Sequence, residues 1–202
     1  MERRRVLAGI AGASTFAVAG CLGGSNTPDD AVEDLPNPTL GDDTASVTVD
    51  VWEDFSCPHC ATFDANVYPR LVDEYVESGD IRYVFNDFPI PVHRRWSWDV
   101  AQAARAVQDR VGEYAFWEFK DTMFRNQDAY SETFISETAT ALDVDGGDLI
   151  ADVNADRYRP VVENSRSRGD ENGVRGTPTV FVDGESVPAS YDAIASAIDA
   201  RL

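Results

Sequence analysis

Cys57 and Cys60 are two of only three cysteines in the chain, and they enclose Pro58 and His59. Two thiols at that spacing suit either a dithiol that opens and closes as a disulfide or half of a zinc site. A zinc site usually wants four ligands. The chain has no second cysteine pair, and its only histidines are His59, caught inside the loop, and His93. Such a ligand set is assembled only awkwardly, so no metal is expected and thiol–disulfide chemistry is the stronger reading.

The surrounding pattern says how the pair is held. Ser46-Val47-Thr48-Val49-Asp50-Val51-Trp52 alternates apolar and polar residues and is rich in β-branching, which predicts a strand. Phe63, Val67, Leu71 and Tyr75 recur every four residues, with Val72 and Val76 alongside, which predicts a helix stopped near Ser78-Gly79. Pro69 inside it removes a backbone hydrogen bond, and a kink or a break into two helices both fit. The cysteines therefore fall at a strand-to-helix junction, in the first helical turn, where Pro58 forfeits no intrahelical bond.

That placement carries the chemistry. The start of a helix offers free N–H donors and partial positive charge, and both favour a thiolate. Cys57 is the better placed, and its pKa is expected to fall from about 8.5 into the range of roughly 3.5–7.5. His59 can add charge or a hydrogen bond. Cys60, one turn later, is expected to be more buried, to stay protonated and to close the ring. Stabilising the thiolate stabilises the dithiol and so makes the disulfide more oxidising. Attack is expected on Cys57, as the more exposed sulfur.

Further along, Ile81-Arg82-Tyr83-Val84-Phe85-Asn86 predicts a second strand, and the next convincing one begins near Thr179. Between them, residues 88–176 read as an inserted helical domain. Val100, Ala103, Ala104 and Val107 mark one helix, and Phe116, Phe119, Met123 and Phe124 a second. Ser131-Glu132-Thr133-Phe134 opens a third, and Asp148 to about Arg168 holds a fourth. The aromatics at helical spacing read as core first and as a substrate groove second. His93 reads as a cap or a surface residue. Ala193, Ile194, Ala197 and Ile198 define a last amphipathic helix.

The first twenty residues read as an address. Arg3-Arg4-Arg5 precedes a run from Val6 to Gly20 that is apolar or small throughout. The run is short of the ~20 residues of a membrane-spanning helix and fits a secretory signal. The paired arginines resemble a twin-arginine export signal, and Val18-Ala19-Gly20-Cys21 resembles a lipobox, which implies lipidation at Cys21; an uncut N-terminal anchor is the other reading. Residues 21–45 are rich in Gly, Pro, Asp and Asn without periodicity, and read as a flexible acidic tether. A lipid on Cys21 would leave Cys57 and Cys60 as the only thiols, outside the cytosol, where disulfides persist.

The net charge is −19, and Lys120 is the only lysine. An acid-rich, lysine-poor surface suits a solvated shell and resembles that of proteins from extreme halophiles. It disfavours nucleic acid as a partner.

Trp52-Glu53-Asp54-Phe55-Ser56-Cys57-Pro58-His59-Cys60 resembles the DsbA-like thiol:disulfide oxidoreductases. Gly173-Val174-Arg175-Gly176-Thr177-Pro178-Thr179-Val180-Phe181-Val182-Asp183-Gly184 is similar to that family's cis-proline loop and following strand. Gly112-Glu113-Tyr114-Ala115-Phe116-Trp117-Glu118-Phe119 and Met123-Phe124-Arg125-Asn126-Gln127 resemble its helical insertion. The likeness spans residues 46–202 and implies an α/β, thioredoxin-like fold with an inserted helical domain. It implies a catalytic set of Cys57, Pro58, His59 and Cys60, with no cofactor beyond the Cys57–Cys60 disulfide. It also implies a cis Pro178 facing that disulfide, and a Thr177 backbone that pairs with the substrate chain. The implied partners are exported proteins with free thiols and a membrane redox partner. One position departs: the buried acid common six residues before the first cysteine is Val51 here, and Asp50, Glu53 and Asp54 are only neighbours. An oxidase is the leading expectation. A reductase or isomerase, and a thioredoxin-fold binding module without turnover, are the alternatives.

Overall fold

The computed structural model describes residues 30–90 and 92–202. The expected export signal and Cys21 lie outside the described residues. Five strands, β1 (Thr39–Leu40), β2 (Val47–Glu53), β3 (Ile81–Asp87), β4 (Thr179–Val182) and β5 (Glu185–Val187), form one sheet in the order β1-β3-β2-β4-β5. β2 and β3 run parallel, with Val49 opposite Tyr83, and the other pairs are antiparallel. A parallel pair needs a crossover. Here α1 (Pro58–Asn66), α2 (Tyr68–Leu71) and a π-helical turn (Val72–Val76) supply it. The predicted helix is thus interrupted at Val67, two positions before Pro69, whose missing N–H cannot continue the ladder. β4 and β5 are joined through Asp183 and Gly184, both at positive φ, the geometry that a two-residue hairpin turn demands.

The insertion holds α3 (Trp96–Val111), α4 (Glu113–Arg125), a 3-10 turn (Gln127–Ala129), α5 (Glu132–Thr140), α6 (Gly146–Asn154) and α7 (Arg159–Glu171). Five helices stand where the pattern suggests four. The last predicted helix divides at Ala155–Tyr158, where Asp156 takes a left-handed φ of 56° and Pro160 sits in the first turn of α7. α3 and α4 are separated by Gly112 at φ 97°, a conformation that residues with a Cβ rarely adopt. α8 (Tyr191–Asp199) closes the chain against the sheet.

Two apolar layers form on the two faces of β2. Val47, Val49 and Val51 join Phe63, Leu71, Ile194 and Ile198 in the main core, which runs on through Phe116, Phe119 and Met123 of α4. Trp52 points the other way, into a smaller cluster with Phe88 and Val174. Alternation along the strand returns Glu53 to the first face.

The expected tether reaches into the fold. Residues 30–40 lie against the domain, because their backbone groups find partners there. β1 pairs with β3, and the Phe85 amide donates to the Pro38 carbonyl at 3.0 Å. Gln108 Nε2 donates to the Pro36 carbonyl at 3.0 Å, and so does Arg105 at 3.3 Å, its guanidinium fully buried against Asp87. The Val32 amide donates to the Arg157 carbonyl at 2.8 Å, and Trp117 Nε1 to that of Thr39 at 3.2 Å. Composition marks this stretch as aperiodic, but aperiodic backbone can still be tied down by side chains reaching from elsewhere. Among the described residues, no helix is long and apolar enough to cross a membrane.

Candidate active site

β2 ends at Glu53, and a tight turn follows before α1. The Cys57 amide donates to the Asp54 carbonyl at 2.9 Å. The Asp54 carboxylate accepts from the Ser56 amide at 2.7 Å and from the Ile90 amide at 2.8 Å. One buried acid therefore ties the cysteine turn to the chain that leaves β3. Burial raises its pKa to about 6, against the pull of those donors. Cys57 is the N-cap of α1, with extended backbone, and Pro58 occupies the first turn, as the junction predicts.

The two thiols are driven apart. Cys57 is lowered from 9.0 to about 5, first by the hydrogen bond from Cys60, with help from the backbone N–H groups of Cys60 and His59; burial opposes this. Cys60 is pushed well above 9.0, first by burial and then by that same hydrogen bond and the nearby Glu53 charge. One proton between two sulfurs thus belongs to Cys60, the assignment expected from the helix start.

Exposure keeps the expected order, with Cys57 the more exposed sulfur, but both are nearly covered. Cys57 is only 3% exposed, against 0% for Cys60, so the reactive sulfur is nearly covered. The register explains this. β4 pairs antiparallel with β2, with Thr179 opposite Trp52, which brings the residues just before β4 to the end of β2 that carries the cysteine turn. The Thr177–Pro178 bond is cis, and Cys57 Sγ lies 3.5 Å from the Thr177 carbonyl oxygen. Pro58 and His59 are exposed. The His59 contribution to the Cys57 thiolate comes from its backbone N–H. His93 is a cap: its Nδ1 accepts from the Trp96 amide at 3.1 Å.

Four side chains enter the site that motif reading did not single out. Gln127 Nε2 donates to the carbonyls of Phe55 at 2.7 Å and Cys57 at 3.0 Å, and the Tyr130 hydroxyl lies 2.8 Å from the same Phe55 carbonyl. Phe124 stacks on Phe55 with centroids 4.9 Å apart. The helical insertion thus grips the cysteine turn directly. Lys120, the fourth, is fully buried and ion-paired with Asp64 of α1. The signal available for Lys120 was its being the chain's only lysine. At Val51 the buried side chain is apolar, as read, while Glu53 on the same face is buried and carries its pKa up to about 8.

A family model described as Thioredoxin matches residues 33–200. The probable disulfide bond formation protein D of Bacillus cereus is 30% identical over 171 residues, which cover 81% of this chain and 78% of that protein. Oxidised BdbD from Bacillus subtilis superimposes with a TM-score of 0.76 at 24% identity, covering 86% of this chain and 98% of that one. DsbA from Chlamydia trachomatis gives a TM-score of 0.72 at 21% identity over 84% of this chain and 93% of that one. These two likenesses establish the fold, a thioredoxin-type sheet with a helical insertion. With a family match across nearly the whole described chain and a relative at 30% identity, the chain belongs to the thioredoxin family, as a DsbA-like thiol:disulfide oxidoreductase.

Proposed function

We propose that the chain works mainly as an oxidase outside the cytoplasm, donating the Cys57–Cys60 disulfide to exported proteins with free thiols. The observation that carries this reading is the divergence of the two thiols, Cys57 near 5 and Cys60 well above 9.0. A thiolate so stabilised favours the dithiol and leaves the disulfide eager for electrons. A substrate thiolate attacks Cys57 Sγ, the S–S bond breaks, and Cys60 leaves with the electron pair. A second substrate thiolate then attacks the substrate sulfur of the mixed disulfide and releases Cys57 as thiolate. Two substrate thiols have become one disulfide, and the enzyme is a dithiol. Because Cys57 is nearly covered, substrate must enter alongside the Gly176–Pro178 loop. The Thr177 backbone pairs there with the incoming chain as an added strand, with Pro178 against the disulfide. Pro58 shapes the first turn, and His59 presents its N–H to the sulfur.

The proposed setting is the outer face of the cell membrane, reached by the twin-arginine route and held by a lipid on Cys21. A membrane redox partner reoxidises the pair. The relative named above is a disulfide bond formation protein, which agrees with net oxidation.

The redox potential decides the direction. A value well above the thioredoxin level of about −270 mV supports an oxidase, and a value at that level makes the chain a reductase. Cys60→Ala expressed in the native host captures exported proteins on Cys57 if turnover occurs; a chain that captures none is a binding module.

A further inference from the structure

The chain keeps its acids away from the mouth of the site. Asp and Glu make up 36 of 202 residues, so eleven consecutive residues would ordinarily hold about two. Residues 88–98 and 172–182 hold none, and no longer acid-free stretch occurs between residues 30 and 202. Residues 55–63, around the cysteines, hold none either. The fold gathers these three stretches around one sulfur. Cys57 Sγ is 3.5 Å from the Thr177 carbonyl oxygen. The Ile90 amide donates to the Asp54 carboxylate beside the cysteine turn at 2.8 Å. Ile90 also packs on the cluster of Trp52, Phe88 and Val174, which joins the two longer stretches to each other.

Cations stand where the acids are missing. After the first twenty residues, Arg94 and Arg95 are the only two arginines in succession, and His93 precedes them; all three are exposed. Arg95 is committed to Asp99 and Glu132, which leaves Arg94 as the outward charge of that loop. Arg175, two residues before Thr177, has a side chain 73% exposed and shares Asp170 with Arg166, at 3.9 and 4.0 Å. Arg166 Nε donates to the Pro89 carbonyl at 2.9 Å and so holds α7 against the other acid-free loop. Ionisation of Cys57 does not account for these arginines, because the Cys60 thiol and first-turn N–H groups chiefly supply it. Their charge acts on whatever approaches the mouth. An anionic bilayer would face the whole of a chain with net charge −19, whereas an extended peptide meets the mouth alone.

We propose that this rim selects acidic polypeptide segments, with Arg94 and Arg175 taking carboxylates on either side of the substrate cysteine. Arginine suits the task, since its planar fork binds a carboxylate through two parallel hydrogen bonds. Neither residue makes or breaks a bond; they draw the chain in and hold it while Cys57 exchanges. Such selection presupposes that substrate enters beside Thr177, and it names the substrate's chemical class.

The full chain carrying Cys21→Ser, in its disulfide form, is mixed with dithiothreitol and with two-cysteine peptides of one length, flanked by glutamates, glutamines or arginines. Dithiothreitol reports the exchanging pair; no reaction with it overturns that reading, and the selection with it. Peptide rates are expressed per thiolate, because neighbouring charge shifts a peptide's own thiol. At about 0.1 M sodium chloride the rate constant is expected to fall from the acidic to the neutral to the basic peptide, by about tenfold or more between the extremes. The spread is expected to shrink at about 1 M salt, where the Debye length is about 3 Å. Arg94→Glu combined with Arg175→Glu is expected to reverse the order. Each readout is a ratio within one protein, so a general loss of activity does not enter it. Equal rates for the acidic and basic peptides in the wild-type chain overturn the proposal, as does a preference that survives both substitutions. Equal rates together with binding to phosphatidylglycerol vesicles assign the arginines to the membrane instead. Should the double variant fail to fold, Arg94→Gln decides: a narrowed ratio supports the proposal, and an unchanged one overturns it.

Discussion

A single proton shared between two sulfurs determines how this enzyme behaves with pH. Cys57 loses its proton at about 5 in the folded dithiol, well below the ordinary 9.0, and the disulfide form has no such group. A depressed pKa stabilises the fold fully above the unfolded value, and that stability drains away as pH falls through the folded value. The dithiol form is therefore expected to lose melting temperature relative to the disulfide form as pH is lowered from about 8 to about 4. Thermal unfolding of both forms across that range checks it; a gap between them independent of pH contradicts the assignment. The cause is local, since the donors are the Cys60 thiol and two first-turn amides.

Elements bring those donors to the sulfur. β2 delivers the turn, α1 supplies the amides, and the antiparallel register of β4 carries Thr177 across the top. The insertion then holds the turn from the side through Gln127, Tyr130 and the Phe124 ring. α7 packs so closely on the second sheet face that it has room only for glycine at 169. A Cβ there would lie 2.6 Å from Phe88 Cδ2 and 2.7 Å from Trp52 Nε1. Gly169→Ala is expected to lower stability by about 1–3 kcal/mol, as overpacking does, although alanine is the better helix former. Urea unfolding measures this, and a gain in stability would show that Phe88 and Trp52 can yield.

For the whole molecule, charge is the dominant fact. A net charge of −19 on a chain this size repels itself, and salt screens that repulsion. The Debye length falls from about 10 Å at 0.1 M to about 3 Å at 1 M salt. The unfolding midpoint is therefore expected to rise as sodium chloride is raised from tenths of molar to molar concentration. A midpoint that falls or stays level would mean that exposed ion pairs such as Arg159–Glu163 outweigh the repulsion. The buried Asp87–Arg105 and Lys120–Asp64 pairs are shielded from that screening, so the core and the redox site keep their own electrostatics at any salt level.

The sequence by itself determined the parts that depend on neighbours along the chain. The strand before the cysteines, the helix after them, the cap position of Cys57 and the split of the two thiols follow from local periodicity and the polarity of a helix start. The Thr-Pro segment was legible because its motif is contiguous. Tertiary structure alone decided what depends on residues far apart. The covering of Cys57 by Thr177, the grip of Gln127 on the turn, and the docking of residues 30–40 by Arg105 and Gln108 join positions many tens of residues apart. The ionisation of Glu53 belongs here too: a carboxylate's pKa is set by burial and by the charges around it, and the charge that matters most, Lys120, arrives from another element. No spacing rule encodes such a meeting, because the fold creates it.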